Sequence, residues 1–167
     1  MVPDLLISSR RNPLVRRLRS LATRAGRELE GMVLLEGTHL LQEHLLQGAE
    51  LQEVIATEHW IESHPQLLGN LDAQIPIRRV TEEVLRAALS TVTPDGVACL
   101  CPLECFPSPS LQASFLLLLD RIQDPGNLGT LLRTALAADV EAVWLGAGAD
   151  PLSPKVLRAS SGSLLQL

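Results

Sequence analysis

The chain has 167 residues, is 46% hydrophobic and carries a net charge of -5, so it has the length for one domain or two small ones and the composition of a folded protein. With two Phe, two Trp and no Tyr, Leu and Val must build the core, and recognition of bases on Phe or Tyr platforms is excluded as a main mode. The charge is unevenly placed: residues 1–30 hold seven arginines against Asp4, Glu28 and Glu30, and the rest holds seven cations against 16 acids. A basic arm on an acidic body points to an anionic polymer as partner, and the same charges also fit the solvated face of an amphipathic helix.

Residues 8–27 read as that helix. Leu14, Val15, Leu18, Leu21 and Ala22 form one apolar stripe, Ser8 or Ser9 is placed to cap it, and the arginines lie mostly off the stripe. Arg10, Arg11, Asn12, Arg16, Arg17 and Arg19 are the polymer-binding candidates, because guanidinium forks match phosphate. Short strands follow at Met32–Glu36, Leu51–Thr57, Ile75–Val80 and Val97–Leu103. Helices are expected between them at 39–47, 58–68 and 81–89, which makes the first unit a small α/β layer fold.

Cys105 to Gln112, with two Pro and two Ser, reads as a linker. The domain plan is a leader at 1–30, an α/β domain at 31–105, a linker at 106–113 and a second domain at 114–167. Cys99, Cys101 and Cys105 have no standard zinc spacing and the four histidines lie far upstream, so no metal site is expected. The odd cysteine count, the lack of a signal peptide and the lack of a long apolar run set a cytoplasmic location, with no membrane partner, as the expectation.

The second unit opens with the apolar run Phe115–Asp120, expected as a strand buried on both faces. A polar turn, a helix at 128–138, a strand at Ala142–Leu145, a helix at Lys155–Ser161 and a third strand starting at Leu164 complete a parallel β-α-β-α-β series. Ligands gather at the carboxyl ends of such strands, where Asp124, Pro125, Gly126, Asn127 and Gly129 crowd together. Asn127 offers both a donor and an acceptor and could cap the helix. Arg133, a turn and a half inside it, could reach back over the turn to hold phosphate or carboxylate. A capped helix with one solvated arginine has the same spacing. Gly146-Ala-Gly-Ala-Asp150 is a partial glycine loop, read as a turn; a nucleotide-binding α/β protein of another kind would rest on it alone.

Asp124-Pro-Gly-Asn-Leu-Gly-Thr-Leu-Leu-Arg-Thr-Ala135 resembles the first signature motif of the SpoU family of RNA ribose methyltransferases, in the SPOUT superfamily. Pro154–Gly162 is similar to the family's next segment, Ile7–Leu21 to its basic leader, and Leu34-Leu-Glu-Gly37 to its first strand and turn. The resemblance implies a small N-terminal α/β substrate-binding domain ahead of a parallel-sheet, knotted methyltransferase domain. It implies methyl transfer from S-adenosylmethionine to a ribose 2′-hydroxyl of ribosomal or transfer RNA, and a homodimer. Asn127 would orient the substrate or the helix entry, and Arg133 would bind the target phosphate and assist deprotonation. The family continues with an Asn-Glu-x-x-Gly loop and a Ser-Leu-Asn segment that build the knot, the cofactor pocket and the dimer interface. Neither occurs in this sequence. The expectation is therefore a chain truncated before the cofactor-binding knot, with cofactor-binding residues unassigned. The alternative is a non-catalytic RNA-binding fragment.

Overall fold

A computed structural model describes residues 5–106 and 112–167, which form two compact units, Met1–Leu103 and Glu104–Leu167. The segment expected as a linker, 106–113, falls mostly on 107–111, outside the described residues.

The first unit runs α1 (Pro13–Ser20), α2 (Arg24–Glu30), β1 (Met32–Glu36), α3 (Thr38–Leu46), β2 (Glu53–Ala56), α4 (Glu58–Ser63), α5 (Pro65–Gly69), β3 (Ile77–Arg79), α6 (Glu82–Ala88) and β4 (Val97–Pro102). The leader is two helices rather than the single one expected. Asn12, not Ser8 or Ser9, caps α1: its Oδ1 accepts the Leu14 N–H at 2.9 Å, with Pro13 opening the helix. The chain turns at Leu21, and Thr23 Oγ1 caps α2 by accepting the Gly26 N–H at 3.1 Å. The bend is tight enough that a Cβ on Gly26 would lie 2.0 Å from the Ser20 carbonyl oxygen. The helix expected over 58–68 is likewise two pieces, because Pro65 cannot continue a helix and opens the next one.

The four strands form one sheet in the order β1-β4-β2-β3. β4 runs antiparallel to both β1 and β2, while β2 and β3 are parallel. As one of the two inner strands, β4 is buried at every position, which is why it reads as an unbroken apolar run. Leu14, Val15, Leu18 and Leu21 of the leader pack with Leu34, Ile55, Val84, Leu85 and Leu100 in one core. The loop before β4 is tied to the end of β1: the Glu36 carboxylate accepts the Ser90 N–H at 2.8 Å and the Thr91 N–H at 3.2 Å.

The second unit runs β5 (Leu116–Leu119), α7 (Pro125–Ala137), β6 (Ala142–Leu145) and α8 (Pro154–Ala159). The β5–β6 pair is parallel, with Leu116 opposite Ala142 and Leu119 opposite Leu145. The structure corrects two expectations in this unit. β5 is not buried on both faces: Leu116 and Leu118 are exposed and Leu117 and Leu119 half-buried, the alternation of a sheet covered on one side. The third strand expected at Leu164 is a 3-10 turn, Ser163–Leu165, entered through Gly162 at φ 81° and packed against α7. Gly129 lets α8 lie directly on α7; a Cβ there would sit 2.4 Å from the Ala159 Cβ.

Candidate functional site

The polar turn predicted between β5 and the next helix is present, but its parts are assigned differently. α7 begins at Pro125, three residues earlier than expected, because the Asp124 Oδ1 accepts the Asn127 N–H at 2.8 Å and proline occupies the first helical position. Asp124 is the cap; the Asn127 side chain is left exposed, with no hydrogen bond among the described residues. Arg133 consequently lies more than two turns inside α7 rather than one and a half.

Arg121, Ile122, Gln123, Asp124, Asn127, Thr130 and Leu131 line an open cleft of about 610 Å³. One wall is the turn and the other is the first exposed face of α7, where positions 127, 130 and 131 adjoin. The floor is stitched to the loop after β6. Gly146 N–H donates to the Leu119 carbonyl at 2.8 Å, Arg121 N–H to Ala147 at 2.7 Å, and Ala149 N–H to Ile122 at 2.7 Å. Gly146 and Gly148 are required by this contact. A Cβ would come within 2.5 Å of an Asp120 carboxylate oxygen at the first and of the Ile122 carbonyl oxygen at the second. The glycine loop is thus a turn that holds the cleft together.

Arg133 does not line this cleft. It is exposed on α7 with no ion pair among the described residues, about 120° around the helix from Asn127 at 3.6 residues per turn. The two residues share an element without converging on one point. Arg121 and Gln123, which do line the cleft, are not among the residues that the sequence singles out. Their signal is their place in the turn after an apolar strand, which the more conspicuous glycines overshadow.

The leader candidates divide by what they touch. Arg10, Arg11 and Arg16 are exposed and have no side-chain partner among the described residues. Asn12 is used as the cap of α1. Arg17 pairs with Glu30 at 3.0 Å and with the nearly buried Glu53 at 3.4 Å, and Arg78 takes the other oxygen of Glu53. Arg19 Nε donates to the Ala87 carbonyl at 2.6 Å and so ties α1 to the end of α6. Among the described residues no group of His, Cys, Asp or Glu is arranged to hold a metal, and no helix is long and apolar enough to cross a membrane.

The model of the MRM3-like substrate-binding domain matches residues 12–99, more than half of the chain, and that of the SpoU rRNA methylase family matches 114–167. The chain belongs to the proteins with an MRM3-like substrate-binding domain, and its residues 114–167 match the SpoU rRNA methylase family.

The chain is 49% identical over 164 residues to an uncharacterized tRNA/rRNA methyltransferase of Synechocystis, covering 96% of this chain and 60% of the relative. It is 35% identical over 159 residues to the 23S rRNA (guanosine(2553)-2′-O)-methyltransferase RlmP of Bacillus subtilis, covering 94% of this chain and 61% of that protein. Among solved structures, an RNA 2′-O ribose methyltransferase matches with a TM-score of 0.78 at 30% identity, over 98% of this chain and 64% of that one. An AdoMet-bound rRNA methyltransferase from Sinorhizobium meliloti matches with a TM-score of 0.81 at 27% identity, over 98% of this chain and 62% of that one. The chain therefore spans about three fifths of the length of these relatives.

Proposed function

We propose that the protein to which this chain belongs methylates a ribose 2′-hydroxyl in ribosomal or transfer RNA, with S-adenosylmethionine as methyl donor. The observation that carries the reading is the chain-long match to proteins named for this reaction, with Asn127 and Arg133 standing unpartnered among the described residues on the helix that follows the turn. The relatives are named as methyltransferases, which favours catalysis over an RNA-binding role alone.

In this reading Arg10, Arg11 and Arg16 hold RNA phosphates, an attraction that weakens with salt. Asn127 orients the target ribose in the cleft through its amide. Arg133, on the neighbouring face of α7, takes the adjoining phosphate, and its positive charge favours the deprotonated hydroxyl. S-adenosylmethionine supplies the methyl group when bound. Gly146 and Gly148 are packed against Asp120 and Ile122, so the glycine loop serves as a turn rather than a cradle for the donor. The chain's own groups serve the RNA side of the reaction. A homodimer and a cytoplasmic location belong to the same reading; the odd count of three cysteines fits a reducing compartment.

The test is Arg133→Ala in the whole protein, with ribose methylation read by mass spectrometry of digested RNA. The expected result is loss of methylation by at least about a hundredfold, as for removal of a charge-stabilising group, with an unchanged melting temperature. Methylation at the normal rate would remove Arg133 from the mechanism.

A further inference from the structure

Arg121 sits where an arginine is least at home. Its φ is 57°, in the left-handed region that Gly, Asn and Asp occupy most easily. The conformation is held from both sides: the Arg121 N–H donates to Ala147, while Gly146 and Ala149 bond to the residues around it. The fold thus over-determines this backbone, yet the side chain contributes nothing to packing and is 81% exposed. It faces the Asp120 carboxylate at 3.5 Å, itself largely exposed, a surface pair of little worth that leaves most of the guanidinium's donors unused. Strain retained at a cleft for a side chain that supports no packing points to a ligand.

We infer that Arg121 is a further RNA-binding residue, whose guanidinium grips a backbone phosphate of the strand entering the cleft. It is the arginine that lines the cleft together with Asn127, whereas Arg133 lies outside it. The cleft is open, as a polymer requires, and its Gln123, Asn127 and Thr130 are neutral hydrogen-bonding groups suited to ribose hydroxyls. The left-handed backbone fixes the root of a long side chain, so that less freedom is lost when the guanidinium closes on phosphate. This inference rests on the proposed RNA reading and adds to it a contact on the catalytic unit itself.

The test compares the 167-residue chain with Arg121→Asn, Arg121→Gly and Arg121→Lys. The readouts are thermal melting and binding of a fluorescein-labelled single-stranded RNA of about 20 nucleotides across a salt series. Asn and Gly relieve the strained backbone, so both variants are expected to melt at or above the parent temperature. Both should bind the RNA several-fold more weakly, with a log–log salt slope shallower by about 0.7, the mark of one fewer phosphate held on a single strand. Lys should keep the slope and lose part of the affinity. Unchanged affinity and slope in Arg121→Asn, alongside a loss in the Arg10→Ala/Arg11→Ala pair, would overturn this inference and leave the RNA reading standing. No RNA binding by the whole protein would overturn both. Weaker binding of S-adenosylmethionine in the whole protein, with RNA binding unchanged, would assign the guanidinium to the donor's carboxylate and overturn the phosphate contact.

Discussion

Gly129 stands at a place on α7 where a neighbouring backbone comes within a side chain's reach. Besides the Ala159 Cβ, a Cβ there would meet the Ala159 carbonyl carbon and the Ser160 nitrogen, both at 2.8 Å, and backbone yields less than the tip of a side chain. Gly129→Ala is expected to cost about 1–3 kcal/mol, read as a lowered melting temperature of the second unit. No change would show that α8 slides on α7 freely. His44 makes a different kind of demand. It is fully buried; its Nε2–H donates to the Glu50 carbonyl at 2.8 Å, and its Nδ1 has no partner among the described residues. Burial holds its pKa below the ordinary 6.5 of histidine, while the bond to Glu50 works weakly the other way. The unfolded chain therefore binds this proton first. Stability from His44 is complete above pH 6.5, declines as pH falls from 6.5 towards the folded value, and levels off below it. A plot of melting temperature against pH should fall more steeply below 6.5 for the parent than for His44→Gln, and parallel curves would contradict it.

At the level of elements, the caps decide where the chain bends. Asp124→Ala removes the side-chain acceptor of the Asn127 N–H and is expected to cost about 1 kcal/mol. It should also loosen the turn that forms one wall of the cleft, so RNA affinity and melting temperature should fall together; a loss of neither would make the cap ornamental. These caps also explain which elements are legible in the sequence. The apolar stripe Leu14, Val15, Leu18, Leu21 reports α1's buried face correctly, because periodicity records which side meets a core. It does not report the break at Leu21, because arginine-rich sequence runs on with good helix formers and the break depends on Thr23 and on Ser20 meeting Gly26. In the site, Asn127 lies on the cleft beside the polar turn between β5 and α7, and that turn is legible from residue type alone. The separation of Arg133 from the cleft is not, since it follows from where the helix starts, and residue type alone does not tell that Asp124 rather than Asn127 provides the cap. β5 misleads for a related reason: four leucines in a row cannot say which of them will be covered.

Over the whole molecule, arginine count and available charge are different quantities. Of the seven in the leader, Arg17 and Arg19 are committed to Glu30, Glu53 and Ala87, and the buried Arg27 donates to the Leu21 carbonyl at 3.0 Å. Composition records a basic arm; the fold turns part of that arm inward as internal bracing. Arg10→Ala/Arg11→Ala is expected to weaken RNA binding and flatten its salt dependence by about 0.7 for each phosphate no longer neutralised, with the melting temperature unchanged. Arg17→Ala should do the reverse, costing roughly 1–2 kcal/mol of stability; the figure stays below that of a fully buried pair because the guanidinium is a third exposed and Arg78 still serves Glu53. Equal effects of the two changes on RNA binding would refute the division.

The sheet order also bears on how the chain comes into being. β4 is the last strand of its unit to leave the ribosome, yet it is the one that joins β1 to β2. When Arg79 has been made, three strands exist and only the parallel β2–β3 pair has both members. β1 must wait for about sixty more residues after Glu36, roughly 3–12 s at ordinary translation rates, with Val33, Leu34 and Leu35 still unpaired. The β2–β3 pair can form early, and the sheet is completed only when β4 arrives between β1 and β2. A nascent chain stalled before Val97 leaves β1, with Val33, Leu34 and Leu35, without the strand that pairs it, an edge open to wrong partners.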